Sequence, residues 1–192
     1  MDQPGDILRK GISDAHAAFD AVQNLEPQIV RAADLITDCL TNGGKLLVCG
    51  NGGSAADAAD FTTEFACRFA GDRRPYPALN LSQGGSLVTA NGNDYGFDEI
   101  FARQVHAFGT RGDLLIAIST SGKSANIRRA LEQATKQQLH TIALLGRDGG
   151  DCRSMAELEI IAPGNSTARI QETHKFMLHV LCEIAETRLP RS

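Results

Sequence analysis

The chain of 192 residues has no tryptophan, two tyrosines and 5% aromatic residues in all. Its core must therefore come from aliphatic side chains. No apolar run approaches the roughly 18 residues needed to cross a bilayer as a helix. The opening "MDQPGDILRKGISDAH" also lacks the apolar stretch that follows a basic start in a secretory signal. A cytoplasmic protein without a membrane partner is expected. Positive charge is not in excess either: 19 Lys and Arg stand against 23 Asp and Glu, a net charge of −4 with the signs well mixed. That disfavours nucleic acid as a partner. The five cysteines (Cys39, Cys49, Cys67, Cys152, Cys182) are odd in number, scattered and free of any CxxC pair. They read as reduced thiols and not as disulfides or a cysteine metal site. There is no internal repeat, low-complexity stretch or linker. With 42% hydrophobic residues, residues 1–192 are expected to form a single domain.

Glycine is plentiful, at 19 residues, and its placement marks strand-to-helix turns. Apolar residues at helical spacing (Ile7, Ile12, Ala15, Phe19, Val22, then Ile29, Ala32, Ile36, Leu40) predict two leading helices over 6–23 and 27–42. Short apolar runs predict strands at 45–50, 77–82, 112–119, 140–146 and 158–163. Helices are predicted between them at 54–69, 98–107 and 124–138, and a last one at 167–189. Continuous apolar strands alternating with helices imply a parallel sheet covered on both faces. The expected fold class is α/β, a three-layer α/β/α sandwich with a five-stranded parallel sheet, flavodoxin-like. The two leading helices precede a core over about 45–189.

Ligands of such sheets bind beyond the carboxyl ends of the strands, and two motifs are expected there. "GNGGSA" (50–55) follows the first strand; its glycines allow close backbone approach, and Ser54 is placed to cap the next helix. "STSGKSAN" (119–126) puts three serines and a threonine at another helix start. Hydroxyls together with free helix amides make a phosphate site. Neither motif has P-loop or GxGxxG spacing, so nucleotides are disfavoured. After the first motif, Asp60 and Glu64 lie four residues apart on one helix face.

These motifs, together with "GNDYG" (92–96), "GRDGG" (146–150) and "ARIQETH" (168–174), occur in an order that resembles the sugar isomerase (SIS) domain superfamily, and within it the phosphoheptose isomerase family. The resemblance covers residues 45–185. It implies interconversion of D-sedoheptulose 7-phosphate and D-glycero-D-manno-heptose 7-phosphate, the first step towards activated heptoses. It also implies a homotetramer with active sites between subunits. Sugar-phosphate contacts would fall on Asn51, Gly52, Gly53, Asn93, Asp94, Ser119, Thr120, Ser121 and Ser124, with Ser54 and Gln171 beside them. A zinc ion would be held by position 60, Glu64, Gln171 and His179. Position 60 departs from the family, which usually has histidine there, whereas this chain has Asp60. An aspartate makes the set richer in oxygen, weakening zinc and favouring manganese or magnesium.

Moving a carbonyl between C1 and C2 of a sugar requires a base for a carbon-bound proton and an acid for oxygen. Glu64 as base and His179 as acid fit those roles. Gln171 and His179, eight residues apart, share a face of the last helix, while His174 points elsewhere and is expected to be structural. On its own His179 reads as a core histidine and Asp60 as a surface acid; the resemblance reverses the first reading and opens the second. Two alternatives stay open: a non-catalytic SIS-domain protein that binds a partner such as a replication initiator or senses sugar phosphates, and an isomerase of another ketose phosphate.

Overall fold

A computed structural model describes residues 3–190. Five strands, β1 (Leu46–Gly50), β2 (Ala78–Asn80), β3 (Leu114–Ser119), β4 (His140–Gly146) and β5 (Leu158–Ala162), pair in parallel throughout, in the order β2-β1-β3-β4-β5. The helices are α1 (Pro4–Val22), α2 (Glu26–Thr41), α3 (Gly53–Ala66), α4 (Ser86–Tyr95), α5 (Ile100–Phe108), α6 (Ala125–Lys136) and α7 (Thr167–Arg188). Alternate side chains of each strand enter opposite layers. Leu46, Val48, Leu114, Ile116, Ile142 and Leu144 pack with α2, α3 and α7. Leu47, Cys49, Leu115, Ala117, Ala143 and Leu145 pack with α5 and α6. The expected three layers are therefore present. Burying each such leucine or isoleucine is worth about 1.5–3 kcal/mol.

Two sequence expectations need correction. Residues 86–95, given no element above, form α4. The segment "SLVTANGNDY" is rich in poor helix formers and buries only Asn91, so periodicity gave no signal. Its ends are set by Gly85 and Gly96, at φ 96° and 88°. Second, Ser54 does not cap α3. The helix starts one residue earlier, Gly52 is the cap at φ 55°, and no side chain caps it. Ser54 instead lies buried in the first turn, its amide donating to the Asn51 carbonyl at 3.0 Å. The helix ends at Ala66, short of the expected Phe69.

Among the described residues no helix is long and apolar enough to cross a membrane. All five cysteines are free; four are buried and Cys67 is exposed. The leading helix α1 leaves Ile7, Leu8 and Ile12 more than half exposed. It meets the body of the protein through Phe19, whose ring lies 5.2 Å from that of Phe176 on α7, and through Arg169, which donates to the Gly11 carbonyl at 2.6 Å.

His174 is structural, as expected. It is fully buried, with its Nε2 3.1 Å from the Leu145 carbonyl of β4. Burial pulls its pKa down to about 4, against the pull of that carbonyl. A folded-state pKa below the unfolded value of about 6.5 means that the unfolded chain takes up the proton first. The neutral imidazole thus contributes stability above about pH 6.5 that is lost as pH falls towards 4, on the order of 3 kcal/mol in all. His174→Gln keeps an N–H donor but cannot titrate. Urea unfolding of parent and variant at pH 7.5, 5.5 and 4.5 should show the parent losing more stability with acid. Parallel losses would mean that His174 does not carry the effect.

Candidate active site

The chain leaves β1 for α3 on one face of the sheet and leaves β3 for α6 on the other. The two exits diverge at adjacent strands, which opens a crevice where ligands bind in such sheets. The glycine-rich and serine-rich motifs therefore sit side by side, each opening a helix with its positive end towards the crevice. A reciprocal pair of amide bonds ties them together. Asn51 Nδ2 donates to Asn126 Oδ1 at 2.8 Å, and Asn126 Nδ2 donates to Asn51 Oδ1 at 3.0 Å. Ser82, after β2, closes the other side by donating to the Gly50 carbonyl at 2.7 Å and accepting from its amide at 2.9 Å.

In the second motif, Ser119 is buried at the end of β3, and its Oγ accepts from the Gly122 amide at 3.0 Å. Ser121 Oγ accepts from the Lys123 amide at 3.2 Å. Ser124 is the cap residue of α6, its carbonyl receiving the Ile127 and Arg128 amides and its Oγ 3.5 Å from that of Ser119. Thr120 and Ser121 are half-buried. The first-turn amides of Ala125 and Asn126 have no acceptor within the helix and remain available to an anion. "GRDGG" acts as the buttress of this loop. Gly122, at φ 64°, lies so close to the Gly149 carbonyl that a Cβ would overlap it, and the Gly122 carbonyl accepts from the Cys152 amide at 2.9 Å.

The acid-bearing face lies where α3 packs against α7. At its head, Gly53 is so close to the Gln171 amide that a Cβ there would collide with it. Asp57, Gln171, Glu172 and Lys175 with Ala168 line a cleft of about 420 Å³ beside it. Glu64 is half-buried further along α3, within electrostatic reach of Cys182 on α7; burial pushes that thiol up and Glu64 adds to the rise. His179 is exposed on α7, with its ring 6.2 Å from that of Phe69. It is not a core histidine. Asn93 and Asp94 are exposed in α4 and bonded to each other at 2.8 Å. That helix packs against α5, so these two residues stand apart from the α3–α7 pair within one chain.

Sequence reasoning missed three residues. Arg73, with a side chain 3% exposed, donates to the Glu64 and Phe65 carbonyls at 2.5 and 3.0 Å and lies 3.4 Å from Glu186, fixing the end of α3 against α7. Asp57 and Lys175 form the other pair. Lys175 Nζ lies 3.0 Å from Asp57 Oδ1 and 2.5 Å from Asp60 Oδ2. Asp57 is buried, and its Oδ2 has no hydrogen-bond partner. Burial raises the Asp57 pKa and Lys175 only partly offsets it. For Lys175, burial works downward, but its bonds to Asp60 and Asp57 outweigh that and hold it above the ordinary lysine value. The two shifts pull in opposite senses for ion pairing. The contact geometry favours the charged pair, because one ammonium bridges two carboxylates.

This arrangement bears on zinc. Lys175 lies four residues from Gln171 and four from His179, on the face they share. Its ammonium engages Asp60 and shares the cleft with Gln171, two of the four positions that a zinc ion would need. A divalent ion about 4 Å from an ammonium is repelled by about 8 kcal/mol at an effective dielectric near 20. Among the described residues, no three His, Cys, Asp or Glu side chains converge on a point where a metal could sit. The donor set as arranged does not fit zinc.

The amide pair between the motifs is directly testable. Asn126→Ala leaves the half-buried Asn51 amide unsatisfied, and should cost about 1–3 kcal/mol, a fall in Tm of about 2–12 °C. Because the two amides serve only each other, Asn51→Ala combined with Asn126→Ala should cost little more than either alone. Additive losses in calorimetry would show that they act separately.

Comparison with known proteins agrees with this geometry. Residues 12–146 match the SIS domain family model. The phosphoheptose isomerase of Citrifermentans bemidjiense is 51% identical over 165 residues, 86% of either chain. Among solved structures, the phosphoheptose isomerase from Francisella tularensis superposes with a TM-score of 0.91 at 39% identity, over 97% of this chain and 100% of that one. GmhA, the phosphoheptose isomerase from Neisseria gonorrhoeae, gives 0.90 at 40% identity, over 96% and 100%. Fold, crevice and relatives converge: the chain belongs to the SIS-domain family, among the phosphoheptose isomerases.

Proposed function

We propose that the chain interconverts D-sedoheptulose 7-phosphate and D-glycero-D-manno-heptose 7-phosphate through an enediolate, as the first step towards activated heptoses. The observation that carries this reading is a hydroxyl- and amide-rich crevice at the carboxyl ends of β1 and β3, in a chain that also carries a carboxylate and an imidazole on its packed α3 and α7. A hydroxyl- and amide-rich helix start suits a phosphate. Further along α3 and α7, Glu64 and His179 supply a carboxylate and an imidazole.

The phosphate is held by Ser119, Ser121 and Ser124 with the first amides of α6, while Asn51, Gly52, Gly53, Ser54, Thr120 and Gln171 line the approach of the sugar. Glu64 takes a proton from C1 of the ketose, and the C2 oxygen gains one with His179 as donor. Delivery of a proton to C2 and loss of the O1 proton then leave the aldehyde at C1. His179 suits this because an imidazole can both donate and accept a proton through its ring nitrogens.

The reading extends to assembly. Asn93 and Asp94 are exposed on α4, apart from the α3–α7 seam, which suits the homotetramer with sites between subunits that the resemblance to phosphoheptose isomerases implies. The exposed Ile7, Leu8 and Ile12 of α1, and a groove of about 550 Å³ beside Phe19, Val30 and Phe176, supply apolar surface for that contact. The free cysteines suit the reducing cytoplasm.

A coupled assay with sedoheptulose 7-phosphate tests the activity. Glu64→Gln keeps shape and hydrogen bonding but cannot take a proton, so turnover should fall by roughly 10²–10⁴-fold. Replacing Ser121 and Ser124 together with alanine should raise KM much more than it lowers kcat, through lost donors to the dianion. Near-parental turnover of Glu64→Gln would remove Glu64 as the base. A parent inert towards the heptose phosphate, but active on a shorter ketose phosphate, would reassign the substrate. Light scattering showing a stable monomer would remove the shared sites.

A further inference from the structure

We propose that the ammonium of Lys175, held by Asp57 and Asp60 on the face of α7 that carries Gln171 and His179, is the resident cation of this active site, so that isomerisation proceeds without a bound divalent metal. The inference rests on the isomerase reading above and adds a residue to it.

Lys175 is halfway between Gln171 and His179 along α7, one turn from each, and its side chain is 29% exposed. It shares the 420 Å³ cleft with Gln171 and Asp57. Asp60, 115 residues away in sequence, reaches it at 2.5 Å, and Asp57 at 3.0 Å. Two carboxylates on successive turns of α3 thus converge on one ammonium from α7. An ammonium has three donors. Two are committed to Asp60 and Asp57, and the third is left for an oxygen in the cleft.

The chemistry asks for such a donor. Proton abstraction by Glu64 places negative charge on the two oxygens of the enediolate, and a fixed cation in a partly desolvated site stabilises it. Lysine supplies that charge as a compact point donor. Aspartate at position 60 is what keeps the lysine in place; a histidine there would remove its shortest ion pair. Asp57, nearly sealed from solvent, prevents the ammonium from swinging into bulk water.

The test uses the full chain expressed in zinc-supplemented medium. Metal content is measured by plasma mass spectrometry, zinc affinity by calorimetric titration, and turnover of sedoheptulose 7-phosphate before and after dialysis against dipicolinate. The expected result is zinc well below stoichiometric, no saturable zinc isotherm at micromolar metal, and turnover unchanged by the chelator. Lys175→Met should lose on the order of 10²-fold in kcat. The double variant Asp60→His with Lys175→Ile should gain a zinc isotherm with about one site per chain. A parent that carries stoichiometric zinc and loses turnover to dipicolinate until zinc is restored would overturn the proposal while leaving the isomerase reading intact. So would parental turnover in Lys175→Met. A parent without turnover under any metal condition would instead overturn the isomerase reading, and the proposal with it. The chelator and titration arms need no variant, so a poorly folding Lys175→Met does not decide the matter.

Discussion

The reversal of strand order at β1, with β2 added on one side and β3 on the other, is the constraint on which the rest of this molecule depends. All five strands run in parallel, and β2 is placed on one side of β1 while β3, β4 and β5 extend on the other. The connection after β1 must therefore pass over one face and that after β3 over the opposite face. Two helix starts are thereby left side by side with nothing packed between them. Their unpaired amides and aligned dipoles create a positive end wherever the side chains are small enough to allow approach. Glycine and serine at 50–55 and 119–126 meet that demand, and the Asn51–Asn126 pair fixes the distance between the two loops.

Much of this was legible in the sequence because strands buried on both faces must read as apolar runs. The runs at 45–50, 112–119 and 140–146 had no competing interpretation, and β3 and β4 lie within two residues of the expected bounds. Only α4 escaped. A helix of Ser, Thr, Asn, Gly and Asp with one buried side chain is held by its neighbours and its terminal glycines, and neither leaves a periodic trace. The Ser54 cap failed for a related reason. Gly52 accepts φ 55° at no steric cost, so the helix can begin a residue earlier and the serine is drawn inward.

The site was legible to a different depth. Residue types within one motif can be read locally, so the phosphate loop was visible, as was the fact that Gln171 and His179 share a helix face. Contacts between distant segments cannot be read that way. Arg73 tying the end of α3 to Glu186, "GRDGG" buttressing Gly122, and Lys175 bridging Asp57 and Asp60 all join residues far apart in the chain. Each restrains backbone or charge, and none has a pattern of its own. His179 and His174 show the same limit in miniature. His179 sits among apolar neighbours in sequence and His174 among polar ones, yet the first faces solvent and the second lies buried under β4.

The last helix then carries three obligations at once, and its sequence can be parsed by them. One stripe, through Ile170, Thr173, His174, Met177, Leu181 and Ala185, is buried against the sheet and α2 and sets the height of the helix. A second, through Gln171, Lys175 and His179, faces α3 and holds the polar chemistry. The third carries Phe176, which stacks on Phe19 and remains 42% exposed beside the apolar side of α1. The first stripe cannot shift without breaking the core, so it locks the other two in register. A residue on the polar stripe is therefore placed as rigidly as one in the core, although it is only half-buried. That rigidity is what lets a flexible lysine stem act as a fixed charge: its base is anchored by packing on one side of α7 and its tip by two carboxylates on the other. Position 60 and position 175 are consequently a coupled choice. An acid at the first without a base at the second would leave like charges crowded at the α3–α7 seam, and a base without the acid would leave the ammonium free to swing away from the cleft.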